Sequence, residues 1–247
     1  MSKIERVPSG IPGLDDMLNG GIPKRRVVLV VGGPGTGKTI LCSQFLVNGI
    51  KENNEAGLFV TLDESRQHIV REMASFGWNI PEYEKTRKWV FADFSPTPQT
   101  GTETKPAKQV IGKRGFSLEG ALDSVKAGAK SIGAKRIALD TITSLVFQYP
   151  DIVQRRSVIL EFIEALSATG ATTIMTTELR TSGLERSVQL EEYLAHGVVV
   201  LQTLQVGKSV TRVLQVEKMR ETPIDTQIRP YRITENGIEV YSKESVF

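Results

Sequence analysis

Short β-branched runs alternate along this chain with longer stretches of helical spacing, the pattern of a mostly parallel sheet covered by helices. Val27 to Val31 is a continuous apolar run of strand length, and a glycine-rich segment follows it directly. Ile40, Leu41, Phe45 and Leu46 then recur at one-turn spacing and mark the buried face of a helix. A second strand is expected at Leu58 to Leu62, after which Ser65 is placed to cap a helix carrying Ile69, Val70, Met73 and Phe76 and ended by Gly77. A third strand is expected at Trp89 to Phe94. Ser95 to Gly115, rich in Pro, Thr, Gly and Lys, reads as a long loop.

Ser117 is placed to cap the next helix, whose Leu118, Leu122, Val125, Ala129 and Ile132 keep one face apolar until Gly133 stops it. The strand Arg136-Ile137-Ala138-Leu139-Asp140 follows, then a helix from about Ile152 to Thr169, Gly170, and a strand at Thr172 to Thr177. From Val198 onward the pattern changes. Val198 to Gln205, the turn Gly207-Lys208 and Val210 to Glu217 read as antiparallel strands. Asn236-Gly237 signals a last hairpin between Arg232-Ile233 and Ile238 to Tyr241. With 40% hydrophobic residues and no internal repeat, residues 1–247 are read as one α/β domain with a large core.

Composition narrows the classes further. The apolar runs fall well short of the roughly 20 residues that span a bilayer, so no membrane segment is expected. The first six residues, Met1-Ser2-Lys3-Ile4-Glu5-Arg6, alternate charge with single apolar residues, unlike a signal peptide. Cys42 is the single cysteine and excludes an internal disulfide; with His68 and His196 it does not make an ordinary structural zinc site. The cytoplasm is the expected compartment. A net charge of +3 is spread along the chain and permits contact with nucleic acid without indicating it.

The segment Gly32-Gly33-Pro34-Gly35-Thr36-Gly37-Lys38-Thr39 fits the phosphate-binding loop pattern between a strand and a helix. Side chains on its glycines would block the approach of backbone N–H groups to phosphates, while Lys38 reaches the β/γ-phosphates and Thr39 the magnesium. ATP or ADP with Mg2+ is therefore the expected ligand. Asp140, ending an apolar strand, is expected to hold that magnesium through water; a cap or turn role is the bland alternative. Asp63-Glu64 ends a strand expected to neighbour that of the phosphate loop, at the edge where open α/β sheets bind ligands. Glu64 is the expected general base for the attacking water, with Asp63 assisting, and both also suit the N-terminus of the following helix.

Lys218-Met219-Arg220 ends an antiparallel strand remote from the loop and is open to two readings. One is a solvated basic strand end. The other is a pair of cations that stabilise charge on the γ-phosphate oxygens, as an arginine finger does. His68 and His196 are read as structural, and Cys42 as a small core residue. Lys105, Lys108, Lys113 and Arg114 make the long loop either a nucleic-acid or subunit contact or a merely solvated segment.

In this order these residues resemble the RecA-like ATPases, and more closely the KaiC family, over nearly the whole chain. Ile11-Pro12-Gly13-Leu14-Asp15-Asp16 with Gly20-Gly21-Ile22-Pro23 is similar to the family's entry signature. Phe59-Val60-Thr61-Leu62-Asp63-Glu64-Ser65, Ser75-Phe76-Gly77-Trp78, Gly170-Ala171-Thr172-Thr173 and Met175-Thr176-Thr177-Glu178 are similar to later segments. The resemblance implies a RecA-like core with C-terminal antiparallel strands, and a catalytic role for the acidic pair Asp63 and Glu64. It also implies ring-shaped hexamers with ATP between subunits, in which Lys218 and Arg220 match a Lys-x-Arg motif that reaches the neighbour's phosphates. The family's clock members carry two tandem copies of the domain, and a phosphorylatable Ser-Thr pair in the second is replaced here by Glu192-Tyr193. The single copy here is more similar to the first, hydrolytic one.

The function expected is an oligomeric ATPase whose hydrolysis to ADP and phosphate switches subunit conformation for an unidentified signalling or regulatory protein partner. The alternative is a RecA- or RadA-like ATPase that binds DNA along a ring or filament. A small-molecule kinase is disfavoured because no acceptor-pocket signature is found.

Overall fold

A computed structural model describes residues 4–96, 110–111, 118–179 and 186–246. The chain begins with β1 (Arg6–Val7), α1 (Leu14–Met17) and β2 (Ile22–Pro23), a small two-stranded sheet with a helical turn between its strands. The core then builds through β3 (Val27–Gly32), α2 (Lys38–Asn53), β4 (Gly57–Thr61), α3 (Arg66–Ala74), α4 (Ile80–Lys85), β5 (Trp89–Asp93) and β6 (Val110–Ile111). It continues through α5 (Leu118–Ile132), β7 (Arg136–Asp140), α6 (Thr143–Gln148), α7 (Ile152–Ala168), β8 (Thr172–Glu178) and α8 (Leu190–Leu194). Four strands close it: β9 (Gly197–Val206), β10 (Ser209–Met219), β11 (Arg229–Thr234) and β12 (Gly237–Val240).

Ten strands form one sheet in the order β12-β11-β10-β9-β3-β8-β7-β4-β5-β6. From β9 to β6 every neighbouring pair is parallel, and from β9 to β12 every pair is antiparallel. The central strands read as unbroken apolar runs because both faces are covered. In β3, Val28 and Val30 join a core with Leu41, Phe45 and Leu46 of α2. Val27, Leu29 and Val31 face the other way, into a core with Val125 of α5 and Ile159 and Phe162 of α7. Each such fully buried side chain contributes roughly 1.5–3 kcal/mol of transfer free energy.

Arg136 opens β7 with only 1% of its surface exposed. Its guanidinium pairs with Glu55 at 2.7 Å, donates to the Pro8 and Phe45 carbonyls and lies 4.7 Å from the Phe45 ring centre. Gly49 makes this possible, because a Cβ there would fall 2.4 Å from Arg136 Nε.

The structure corrects three expectations. β4 does not neighbour β3: β8 and β7 lie between them, and β4 pairs with β7 and β5. Strand order is decided by which crossover helices pack together, a long-range choice that periodicity does not encode. The last hairpin turns on Glu235-Asn236, with Thr234 opposite Gly237, because Gly237 takes a positive φ of 110° as the first residue of β12. The stretch Ser95 to Gly115 is not loop throughout, since β6 pairs parallel with β5 inside it. Ser117, Lys105, Lys108, Lys113 and Arg114 lie outside the described residues.

Candidate active site

Parallel pairing brings the carboxyl ends of four strands to one edge of the sheet. Gly32 of β3 is in register with Glu178 of β8, and Thr61 of β4 with Asp140 of β7. The loop from Gly32 to Gly37 therefore opens at the same edge as Asp140, Asp63 and Glu64, although two strands lie between β3 and β4.

The loop is held by its own atoms. Thr36 Oγ1 donates to the Gly33 carbonyl at 2.8 Å, and a Cβ on Gly32 would fall 2.6 Å from that hydroxyl. Lys38 Nζ spans the carbonyls of Gly32 at 2.8 Å and Gly33 at 3.1 Å, so its charge is held at the mouth of the loop. Gly35 and Gly37 have positive φ, 71° and 91°, a region that side chains disfavour. Pro34 and Gly35 are exposed at the tip. The first turn of α2 follows, presenting backbone N–H groups and the positive end of the helix dipole.

Thr39 Oγ1 donates to Asp140 Oδ2 at 2.6 Å. The other Asp140 oxygen accepts from Thr176 Oγ1 on β8 at 2.5 Å, and Asp140 is only 9% exposed. A hydroxyl and a carboxylate oxygen converging at the loop are hard-oxygen donors of the kind Mg2+ takes, so the side chains present fit that ion. Among the described residues no cluster of three or more His, Cys, Asp or Glu offers a separate metal site.

Asp63 and Glu64 are exposed at the same edge. Asp63 Oδ1 accepts from Ser144 Oγ on α6, and Thr61 Oγ1 donates to the Glu64 carbonyl at 2.5 Å. Partial burial, and then the charges of Glu72 and Asp140, push the Glu64 carboxyl above the usual carboxylate range, with Asp63 adding a smaller push. Ser65 caps α3 as expected, accepting from the His68 N–H at 3.4 Å.

Lys218 and Arg220 are not at this edge. Lys218 is in register with Val198, which pairs with Leu29, and the Arg220 N–H donates to His196, whose N–H donates to Val27. Lys218 thus sits level with the middle of β3 and Arg220 with its start, whereas the loop begins at its end; at 3.3 Å per residue the separation is about 16 Å for Arg220. Lys218 Nζ donates to the carbonyls of Glu192, Tyr193 and Ala195 at 3.0, 3.1 and 2.7 Å, closing the C-terminus of α8. Arg220 is exposed, with no side-chain partner among the described residues.

Glu192 is buried and held by both Arg186 guanidinium nitrogens at 2.8 and 2.6 Å, while Tyr193 is 64% exposed. His196 Nδ1 accepts the Val27 N–H at 3.0 Å; burial, and then Arg26, Arg220 and Lys218, hold the imidazole below its usual range. It is structural as expected, as is the fully buried Cys42. His68 is exposed on α3. Sequence reasoning missed Ser144, Thr176 and Tyr231, whose hydroxyls hold Asp63, Asp140 and the Thr36 carbonyl. The hydroxyls that follow β7 and end β8, Thr141, Thr143, Ser144, Thr176 and Thr177, were the available signal for the first two, and nothing local pointed to Tyr231.

No helix among the described residues is long and apolar enough to cross a membrane. A family model described as "ATPase: KaiC" matches residues 7–245. A UPF0273 protein of Methanocaldococcus jannaschii is 36% identical over 238 residues, covering 96% of this chain and 97% of that protein. The circadian clock oscillator protein KaiC of Parasynechococcus marenigrum is 35% identical over 240 residues, covering 97% of this chain but 45% of that protein. The crystal structure of a KaiC-like protein from Pyrococcus horikoshii superposes with a TM-score of 0.81 at 36% identity, covering 97% of this chain and 100% of the other. With its α/β architecture, its strand–loop–helix at Gly32 to Thr39 and these matches over nearly its full length, the chain belongs to the KaiC ATPase family.

Proposed function

We propose that the chain is a single-domain, magnesium-dependent ATPase that works as a homo-oligomer, with each active site shared between two subunits. The observation that carries the ATPase reading is the Thr39–Asp140 hydrogen bond beside the glycine loop. A hydroxyl and a buried carboxylate that meet beside the loop support a metal site for a loop-bound nucleotide. Gly32, Gly33, Pro34, Gly35, Thr36 and Gly37 would wrap the phosphates, and Lys38 would leave its two carbonyls for the more favourable phosphate oxygens. Thr39 and Asp140 would hold Mg2+, which when bound neutralises charge on the β- and γ-phosphates. Glu64, its proton affinity raised by its surroundings, would take the proton of the attacking water, with Asp63 oriented by Ser144.

The position of Lys218 and Arg220 supports sharing. Neither reaches the loop of its own chain, so if they act on a γ-phosphate it is that of a neighbour in a head-to-tail arrangement. Such an interface closes into a ring, and a hexamer is the ring that the family resemblance implies. A regulatory role, in which ATP and ADP forms present different surfaces to a partner protein, completes the reading. The test is ATP turnover by the purified chain with its oligomeric state measured alongside, with and without single-stranded DNA at several salt concentrations. Magnesium-dependent phosphate release by an oligomer, indifferent to DNA, is expected. Stimulation by DNA that fades steeply with salt would favour the DNA-binding alternative.

A further inference from the structure

We propose that Tyr231 is a positioning residue of the phosphate loop, its phenol holding the Thr36 carbonyl so that the Gly37 N–H is aimed into the mouth of the loop. The inference rests on the reading that this loop binds nucleotide phosphates. Tyr231 lies on β11, some two hundred residues along the chain from the loop, and is 2% exposed. Its hydroxyl donates to the Thr36 carbonyl at 2.6 Å, and both groups are buried. The Thr36–Gly37 peptide is trans, so its C=O and N–H point in opposite directions. Fixing the carbonyl against the hairpin therefore fixes the direction of the N–H, away from the hairpin. Among the described residues that N–H has no backbone or side-chain acceptor, which leaves it free for an anion.

The phenol is backed by close packing. Gly37 packs on the β11–β12 hairpin so closely that a Cβ would fall 3.1 Å from Ile233 Cδ1 and 3.3 Å from Ile238 Cδ1. The hairpin is in turn tied to α2, where Gln44 accepts from the Ile238 N–H at 2.7 Å and donates to the Ile238 carbonyl at 3.0 Å. Loop, helix and hairpin thus form a closed set of contacts in which the phenol is the polar link. Burial pushes the phenol well above its usual range, against a smaller opposing effect of Arg212, so it stays a donor at every working pH. Without it the Thr36 carbonyl is a buried acceptor lacking its partner, and the peptide gains by rotating toward water, which turns the Gly37 N–H away from the ligand.

The experiment compares the full chain with Tyr231→Phe, and with 4-aminophenylalanine at position 231, which keeps a donor in the same place. Equilibrium binding of a fluorescent ADP with Mg2+ is measured on each, with KM and kcat for ATP and a nucleotide-free melt on the same samples. Tyr231→Phe is expected to weaken ADP binding about tenfold, the upper range for one neutral hydrogen bond, with the loss in KM rather than kcat. The aminophenylalanine variant is expected to bind within about threefold of the natural chain. Unchanged affinity in Tyr231→Phe, a variant that does not fold, or no recovery with the amino group would each overturn the proposal. Failure of the underlying reading looks different: the natural chain itself does not bind, or Lys38→Ala binds equally well.

Discussion

Thr39 Oγ1 and Asp140 Oδ2 stand 2.6 Å apart, joining the first turn of α2 to the end of β7 although β8 separates the strands they follow. Thr176 occupies the second oxygen of Asp140, so the carboxylate has one orientation and offers Oδ2 to the loop. Asp140→Asn keeps the shape and removes the charge. It is expected to raise the Mg2+ concentration needed for half-maximal turnover by roughly 10–100-fold while nucleotide binding without metal changes little. A magnesium titration of phosphate release checks this, and an unaltered midpoint would remove Asp140 from the metal site.

Glu64 is expected to set the acid limb of the reaction. Its folded pKa lies above the 4.5 of an isolated glutamate because burial and the charges of Glu72 and Asp140 disfavour ionisation. Hydrolysis should therefore fall as pH drops through a midpoint above 4.5, and Glu64→Gln should lose roughly 10²-fold in kcat while still binding ATP. The stability sign runs opposite to that of a paired carboxylate. Here the folded state binds the proton more tightly, so the natural chain gains stability relative to Glu64→Gln as pH falls through the raised pKa. Melts from neutral pH downward test the sign, and a Gln variant less stable at pH 7 than the natural chain would contradict it.

Lys218 and Arg220 should separate in stability even if both act in catalysis. Lys218 closes the C-terminus of α8 through three carbonyls, where a cation also meets the negative end of the helix dipole. Burial and then Arg220 hold its ammonium below the usual lysine range, yet those three acceptors keep it in place. Lys218→Ala is expected to cost about 1 kcal/mol, a fall in Tm of about 2–4 °C, whereas exposed Arg220→Ala should melt like the natural chain. Equal melts for the two variants would show that the carbonyl contacts contribute nothing.

Much of the core was legible in the chain because its strands are buried on both faces. Such strands read as unbroken apolar runs, and the predicted Arg136 to Asp140 coincides with β7 at both ends. The strand, glycine loop and helix at Val27 to Thr39 were legible because their signal is local: a run, four glycines and a helical face. What was not legible depends on partners far apart in sequence. Tyr231 meets Thr36, Thr176 meets Asp140 and Ser144 meets Asp63 only after the crossovers have chosen a strand order, and no spacing rule anticipates them. Arg136 shows the same limit, since a charged residue at a strand boundary normally marks solvent, and only Gly49 and Glu55 make room and charge for it in the core. Short helices such as α4 and α6, of six residues each, are too brief to show a period.

The shared site is the most exposed of these expectations. In one chain the strand from Val27 to Gly32 separates Arg220 from the loop, so on the proposed reading a monomer would lack the second cation and a neighbour in a ring would supply it. Lys38→Ala and Arg220→Ala should then each be nearly inactive as pure proteins, the first for want of phosphate binding and the second for want of charge at the γ-phosphate. When the two are dissociated and reassembled together, some interfaces join an intact loop from the Arg220→Ala chain to an intact cation from the Lys38→Ala chain. Those interfaces should restore turnover, to about a quarter of the natural rate for random equimolar mixing, because each half-site is drawn independently. The pure variants, carried through the same dissociation, supply the baseline. Mixed rings demonstrated by mass that show no recovery, or a verified monomer that hydrolyses ATP at the full rate, would return Lys218 and Arg220 to the role of a solvated strand end.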